Sequence, residues 1–249
     1  MRDEREIGGA WRRHQRHQRR EPPADLATWA DHLWSATWDY ASPYAQKIAP
    51  SAVVHLTARD GAPPEWHGPT TRHVVRELTG RGGVVGIALR PGLARDLVGR
   101  PVSTLADTAV AADGPAGMHD LDALAAWLRA RVPVAPSPDA LVAAEAVELA
   151  RDDPNLRRVE DLAARCGRHP RRLQRLFAEH VGVGPKAVLR WYRLGEVTRR
   201  MASGRPIAWA ALAHDLGYAD QAHLVRDVTA LLGESPTAYA ARYPRAEIL

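Results

Sequence analysis

Cysteine is nearly absent. The single thiol of the 249-residue chain, Cys166, excludes an internal disulfide and any zinc site built from several thiolates. Apolar runs are short as well, and none reaches the roughly eighteen residues needed to cross a bilayer. The opening stretch MRDEREIGGAWRRHQRHQRRE is positively charged but has no apolar segment behind it, so it lacks the makeup of a secretory signal. These absences point to a soluble, cytosolic protein with no membrane partner. Lysine is also scarce: of 34 basic residues only Lys47 and Lys186 are lysines. Together with the abundance of alanine this reflects a GC-rich coding sequence and says nothing of function. No glycine-rich phosphate loop, nucleophile elbow or paired-carboxylate motif is present, so no catalytic residues are expected. His55, His67 and His73, with Glu65 and Glu77, miss the H-x-H then Glu spacing of a cupin metal site, so neither metal nor other cofactor is expected.

What is present is positive charge gathered in one place. Residues 1–20 carry a net +4, residues 21–156 a net −6, residues 157–205 a net +9 and residues 206–249 a net −2. A solvated helical face mixes both signs, whereas a concentrated patch is the footprint of a surface that meets phosphates. The texture of the chain changes too. The first 21 residues read as a disordered basic arm. ADLATWADHLW reads as a helix, and SAVVHLTARDG, TRHVVRELTGRGG and GVVGIALRPG read as three strands ended by turn signals. LDALAAWLRARV is an amphipathic helix, with Leu121, Leu124, Trp127, Leu128 and Val132 three or four apart. The Pro-rich segment PVAPSPD reads as a linker. Beyond it the chain is helical, beginning with PDALVAAEAVELARDD.

The helical part writes one device twice. When Gly167 is aligned with Gly217, Leu162 and Ala163 match Leu212 and Ala213. After a one-residue insertion, Leu173 matches Leu224, Arg175 matches Arg226, Phe177 matches Val228, Gly182 matches Gly233, and Pro185 matches Pro236. A short helix, a glycine, a tight turn and a second helix make a helix-turn-helix. Alanine lets the two helices approach closely, and glycine takes the positive φ that ends the first. Cys166, beside the turn glycine, is expected to be a small buried residue rather than a reactive thiol.

These two motifs, DLAARCGRHPRRLQRLFAEHVGVGP and LAHDLGYADQAHLVRDVTALLGESPTAY, resemble those of the AraC/XylS family of bacterial transcription regulators. The resemblance covers about Ala140 to Arg242 and implies two helix-turn-helix subdomains joined by a long helix. Residues from Pro185 to Met201 would form that connector, about 25 Å long, against the ~34 Å between successive major-groove faces. In the first reading helix Arg171, Arg172, Gln174 and Arg175 lie opposite Leu173 and Leu176. Arginine can fork onto guanine and glutamine can pair with adenine. The resemblance puts Arg171, Gln174 and Arg175 at positions that reach bases, although Arg175 is as well placed to meet a phosphate or to pair with Glu179. In the second helix the matching positions are Gln221, His223 and Arg226, with Ala222 and Val225 where hydrogen-bonding groups are usual and Asp227 adding negative charge beside Arg226. Leu224 and Val228 stand where phenylalanine is common. The first motif is therefore expected to dominate affinity. Arg157, Arg158, Lys186, Arg190 and Arg193 are expected to meet phosphates, which position without specifying.

The front half resembles a poorly characterised β-rich domain found before some AraC-type DNA-binding units, GIALRPGLARDLVGRPVSTL being its most telling piece. The implied fold class is α+β: a cupin-like half-barrel with helices, then an all-α domain. The boundaries expected are an arm over 1–21, a sensor or dimerisation domain over 22–133, a linker over 134–139 and a DNA-binding domain over 140–245. Trp34, Trp38, His55 and Trp66 are the expected lining of an effector pocket. The partners implied are double-stranded promoter DNA and a small-molecule effector, with RNA polymerase and a second copy of the chain as further ones. Two other readings stay open: a cupin-like binding or catalytic protein with an accessory helical unit, and a constitutive DNA binder whose front half only dimerises.

Overall fold

Tryptophan faces glycine across the two longest strands of the front half. In the structure, a computed structural model that describes residues 15–241 apart from 60, 154 and 204, strand β2 (Ala30–Ile48) runs antiparallel to β5 (Val74–Leu89). Trp34 pairs with Gly86 and Trp38 with Gly82. A Cβ added to either glycine would come within 2.5 Å of the facing indole ring, so the two rings lie where only glycine leaves room.

Around this pair stand β1 (Gln15–Arg20), β3 (His55–Arg59), β4 (Glu65–His67) and β6 (Ala109–Ala111). The order is β1-β2-β5-β3-β4-β6, with every pairing antiparallel. Alternation assigns each side chain to a face. Leu33, Ile87, Leu56 and Trp66 are neighbours on one face, and their core is closed by Leu124 and Leu128 of helix α2 (Leu121–Arg129). Asp120 starts that helix by accepting the Ala123 N–H.

Three expectations change here. The helix expected around Leu26–Trp34 is a turn followed by β2, because Leu33 and Trp34 must face opposite sides of the sheet, opposite Ile87 and Gly86. The two strands expected over 71–83 and 83–92 are one continuous strand, β5. The basic arm expected over 1–21 gives up residues 15–20 to β1, held by the buried Gln15 amide, which donates to Tyr40 Oη at 2.8 Å and Gln46 Oε1 at 2.9 Å. The first fourteen residues of that arm, and residues 242–245 of the expected DNA-binding domain, lie outside the described residues.

Short helix α1 (Ala94–Val98) and a 3-10 turn at Val102–Leu105 lie between β5 and β6. The rest is helical: α3 (Pro138–Asp152), α4 (Val159–Arg165), α5 (Pro170–Leu176) running into a π turn at Phe177–Val181, α6 (Pro185–Ala202), α7 (Trp209–Asp215), α8 (Gln221–Leu232) and α9 (Pro236–Ala240). One apolar core runs through α3 to α9 and takes in Ala49 and Ala52 from the front half. The molecule is thus α+β, an antiparallel sheet in front of a helical unit.

Gly86→Ala should cost about 1–3 kcal/mol by driving a methyl into Trp34. Gly83→Ala, where the added atom meets its nearest neighbours at an ordinary 3.6 Å, should stay within about 0.5 kcal/mol. Urea unfolding midpoints of the two variants check the contrast.

Candidate DNA interface

The repeat in the sequence is a repeat in space. Leu162 and Ala163 of α4, and Leu212 and Ala213 of α7, are buried. Gly167 (φ 59°) and Gly217 (φ 70°) then end these helices in the left-handed region. Leu173 and Leu224, each 0 % exposed, anchor α5 and α8 on the shared core. Pro185 and Pro236 open the helices that follow. Between the units, α6 is 18 residues long, or about 27 Å at 1.5 Å per residue.

Burying one stripe leaves the opposite stripe in solvent. On α5, Arg171, Gln174 and Arg175 are exposed, at the i, i+3 and i+4 spacing that shares one helix face. Their side chains have no hydrogen-bond or ionic partner among the described residues. Glu179 pairs with Arg95 of α1 and not with Arg175. Arg172 is turned aside: its guanidinium holds both carboxylate oxygens of Asp139, at 2.7 and 2.6 Å, tying α5 to the start of α3. On α8, Gln221, Ala222, His223 and Arg226 are exposed. The His223 ring stands edge-on to Tyr218 at 5.1 Å. Asp227 does not sit beside Arg226 on that face. Its side chain is 13 % exposed and points inward, accepting from Arg190 Nε at 2.5 Å and Tyr218 Oη at 2.8 Å. Burial and the Asp227 carboxylate push the Tyr218 phenol well above its usual range.

The cations expected on phosphates divide into two groups. Arg190 is engaged by Asp227, and Arg193 lies over the Tyr218 ring at 5.1 Å with its Nε buried. Arg157 donates to the Asp215 carbonyl at 3.0 Å and packs against Gly217, so it caps α7. These three hold the helices together. Lys186 is exposed and has no partner among the described residues, and Arg158 is exposed beside Glu160 at 3.5 Å. Arg168 and Arg205 are exposed as well; the sequence reading passed over them, although they lie in the same basic window.

The four residues expected to line one effector pocket do not share a cavity. Trp66 belongs to the core under α2. Trp34 is on the opposite face, where its Nε1 donates to His55 Nδ1 at 3.1 Å. Trp38 borders an open hollow of about 760 Å³ with Arg16, Arg59, Arg81 and His119. A second cleft, of about 170 Å³, lies between the front half and α6, lined by Arg19, His32, Ser51, Arg151, Trp191 and Thr198. Among the described residues no three His, Cys, Asp or Glu side chains converge to hold a metal ion, and no helix is long and apolar enough to cross a membrane. Cys166 is half-buried, and burial raises its thiol pKa.

Residues 162–242 match the family model described as a helix-turn-helix domain, and residues 18–111 match a domain of unknown function, DUF6597. Among curated proteins nothing matches. The C-terminal domain of AraT, a response regulator from Geobacillus stearothermophilus, is similar at 20% identity, over 45% of this chain and 92% of its own, with a TM-score of 0.40. A probable AraC family transcriptional regulator from Rhodopseudomonas palustris is 26% identical, over 40% of this chain and 99% of its own, with a TM-score of 0.34. ToxT from Vibrio cholerae with a bound unsaturated fatty acid is 9% identical, over 99% of this chain and 100% of its own, with a TM-score of 0.45.

Arg190→Met should lower the unfolding free energy by about 1–3 kcal/mol, because Asp227 stays mostly buried and loses its cation; chemical denaturation measures it. His180, 4 % exposed near the end of the π turn, has an Nδ1 without a hydrogen-bond partner among the described residues, near Arg95, Asp96, Asp139 and Glu179. Burial depresses its pKa below the ordinary 6.5, so the unfolded chain takes up the proton first as the pH falls. The stability this group lends is complete above that value and declines below it, by up to about 1.4 kcal/mol per pH unit. His180→Gln should flatten the acid side of a stability–pH curve.

Proposed function

We propose that the chain is an AraC/XylS-type DNA-binding regulator of transcription, with a helix-turn-helix domain behind a DUF6597 domain, and that it reads promoter sequence with α5 and α8 under the control of a small molecule. The observation that carries the reading is the unpartnered Arg171, Gln174 and Arg175 face, which offers forked donors to base edges in a major groove. Lys186, Arg158, Arg168 and Arg205 supply the phosphate contacts that seat it. On α8, Gln221, His223 and Arg226 add a second, weaker set. The DNA-binding unit spans 140–245, and the sensing unit runs up to residue 133 with 134–139 as the joint. RNA polymerase and a second copy of the chain are further partners of this reading.

Effector control finds its support in the cleft between the domains. A molecule seated beside Arg19, His32 and Arg151 touches Trp191 and Thr198 of α6, the helix to which both reading units are attached. Such a ligand acts by preferring one arrangement of the two domains over another. Metabolite screening by thermal shift on the full chain should give a ligand that raises Tm and changes DNA affinity; a ligand that does the first without the second argues for a purely structural site.

Replacing Arg171 and Arg175 together by alanine should weaken operator binding by about 30-fold or more, at roughly 1–3 kcal/mol for each forked contact. Replacing Gln221 and Arg226 should cost less than about tenfold. Gel-shift titrations at one fixed salt concentration decide it, and equal losses from the two pairs would defeat the ranking.

A further inference from the structure

The last turn of α8 is capped by the other half of the molecule. A helix ends with carbonyls that have no partner of their own and with a partial negative charge. Here the Leu231 carbonyl accepts the His73 N–H at 3.2 Å, and the Leu232 carbonyl accepts Lys47 Nζ at 2.9 Å. Lys47, in β2, also meets Glu234 Oε1 at 2.5 Å, both side chains being 15 % exposed. It is one of only two lysines in a chain that otherwise writes arginine.

The first reading unit meets the front half at the corresponding place. Gly182 and Gly233 occupy equivalent positions, each closing its reading helix with a positive φ, 87° and 74°. A Cβ on Gly182 would come within 2.7 Å of Pro69, and one on Gly233 within 2.4 Å of His73. Pro69 and His73 are the two ends of a single five-residue segment. That segment is braced by Asp107, whose carboxylate accepts the Thr71 N–H at 2.7 Å and Thr71 Oγ1 at 2.5 Å. The Asp107 N–H donates to the Pro69 carbonyl at 2.9 Å. Asp107 itself has φ 58°, a conformation that a non-glycine residue keeps only where its surroundings impose it.

We propose that the Pro69–His73 segment and Lys47 are positioning elements for DNA reading: the front half fixes the distance and angle between α5 and α8, and so sets which spacing of half-sites is recognised. The inference rests on the two-headed reading proposed above. It goes beyond it by making operator spacing a property of the front half and not of the connector α6 alone.

Selection from duplexes carrying roughly 30 random base pairs, enough for two groove faces one helical turn apart, tests this with the full chain. Wild-type protein should enrich two blocks of bases at one centre-to-centre distance. K47M combined with H73A should keep the first block unchanged and either spread the second over several distances or reduce its enrichment by about tenfold or more. Lys47→Arg, which keeps the charge and the reach, should behave as wild type. Should the double variant lose its cooperative melt, Glu234→Gln, which leaves the Lys47 contact to the Leu232 carbonyl in place, should give a smaller spread of the same kind. A folded variant lacking the Lys47 or Glu234 contact that keeps the wild-type spacing overturns the inference and leaves the two-headed reading standing. Wild-type protein that enriches no sequence overturns that reading, and this inference falls with it.

Discussion

Close backbone approach between the sheet and the helical unit is the contact on which the rest depends. It occurs where side chains are missing. Gly92, just after β5, lies so near α3 that a Cβ would come within 2.5 Å of the Ala144 nitrogen, and Ala140 and Ala143 of that helix are 0 % exposed. Gly182 and Gly233 make the same kind of contact from the helical side. Ala49 and Ala52 join the helical core. Around these points run Arg90–Glu148, Arg95–Glu179 and the Asp96 carboxylate on Ser137. Part-exposed ion pairs of this sort contribute about 0–1 kcal/mol each. Close packing therefore supplies the adhesion, and the ion pairs fix its register.

That division also explains the basic window. Its net charge is +9, yet much of it is not available to a nucleic acid. Arg172 is held by Asp139, Arg190 by Asp227, Arg165 by Asp153, and Arg199 and Arg200 by Glu196. The face of α5 with Arg171, Gln174 and Arg175 stays open because that helix carries no acid and Glu179, in the turn after it, is drawn away to Arg95; on α8, Asp227 turns inward to Arg190 and Tyr218. Specificity in such a surface comes from which few cations lack partners, not from the total charge.

The helical half was largely legible in the sequence. Its periodicity and its glycine, alanine and proline positions are local signals, and they marked α3 and both helix-turn-helix units, as periodicity marked α2 in the front half. The front half was legible only in part. The turn and strand around Leu26–Trp34 read as a helix because leucine and tryptophan recur there at helical spacing, while the glycines that face the strand's tryptophans lie some fifty residues away, at Gly82 and Gly86. A run of arginine and histidine gave no hint of β1, whose pairing depends on β2 being present. Tertiary context overrides propensity in both places. The inward turn of Asp227 was equally hidden, since adjacency to Arg226 in sequence says nothing of which neighbour a helical side chain meets. The aromatic residues expected to form one pocket were misjudged for a related reason: a change of face at every residue places Trp34 and Trp66 on opposite sides of the sheet.

The connector α6 has to satisfy two demands at once. One of its faces, with Val188, Leu189, Leu194, Val197 and Met201, is part of the core shared by both helix-turn-helix units, so the units cannot shift along it without opening that core. The side with Trp191, Tyr192, Gly195 and Thr198 borders the cleft toward the sheet. A molecule bound there gains leverage only through contacts that differ between two arrangements, since equal affinity for both shifts nothing. The arrangement described here already caps α8 from the sheet side through Lys47 and His73. An arrangement that parted α8 from the sheet would leave the Leu231 and Leu232 carbonyls to water, and the free energy of that exchange, about 0.5–1.5 kcal/mol for each hydrogen bond, is within reach of a modest difference in ligand affinity.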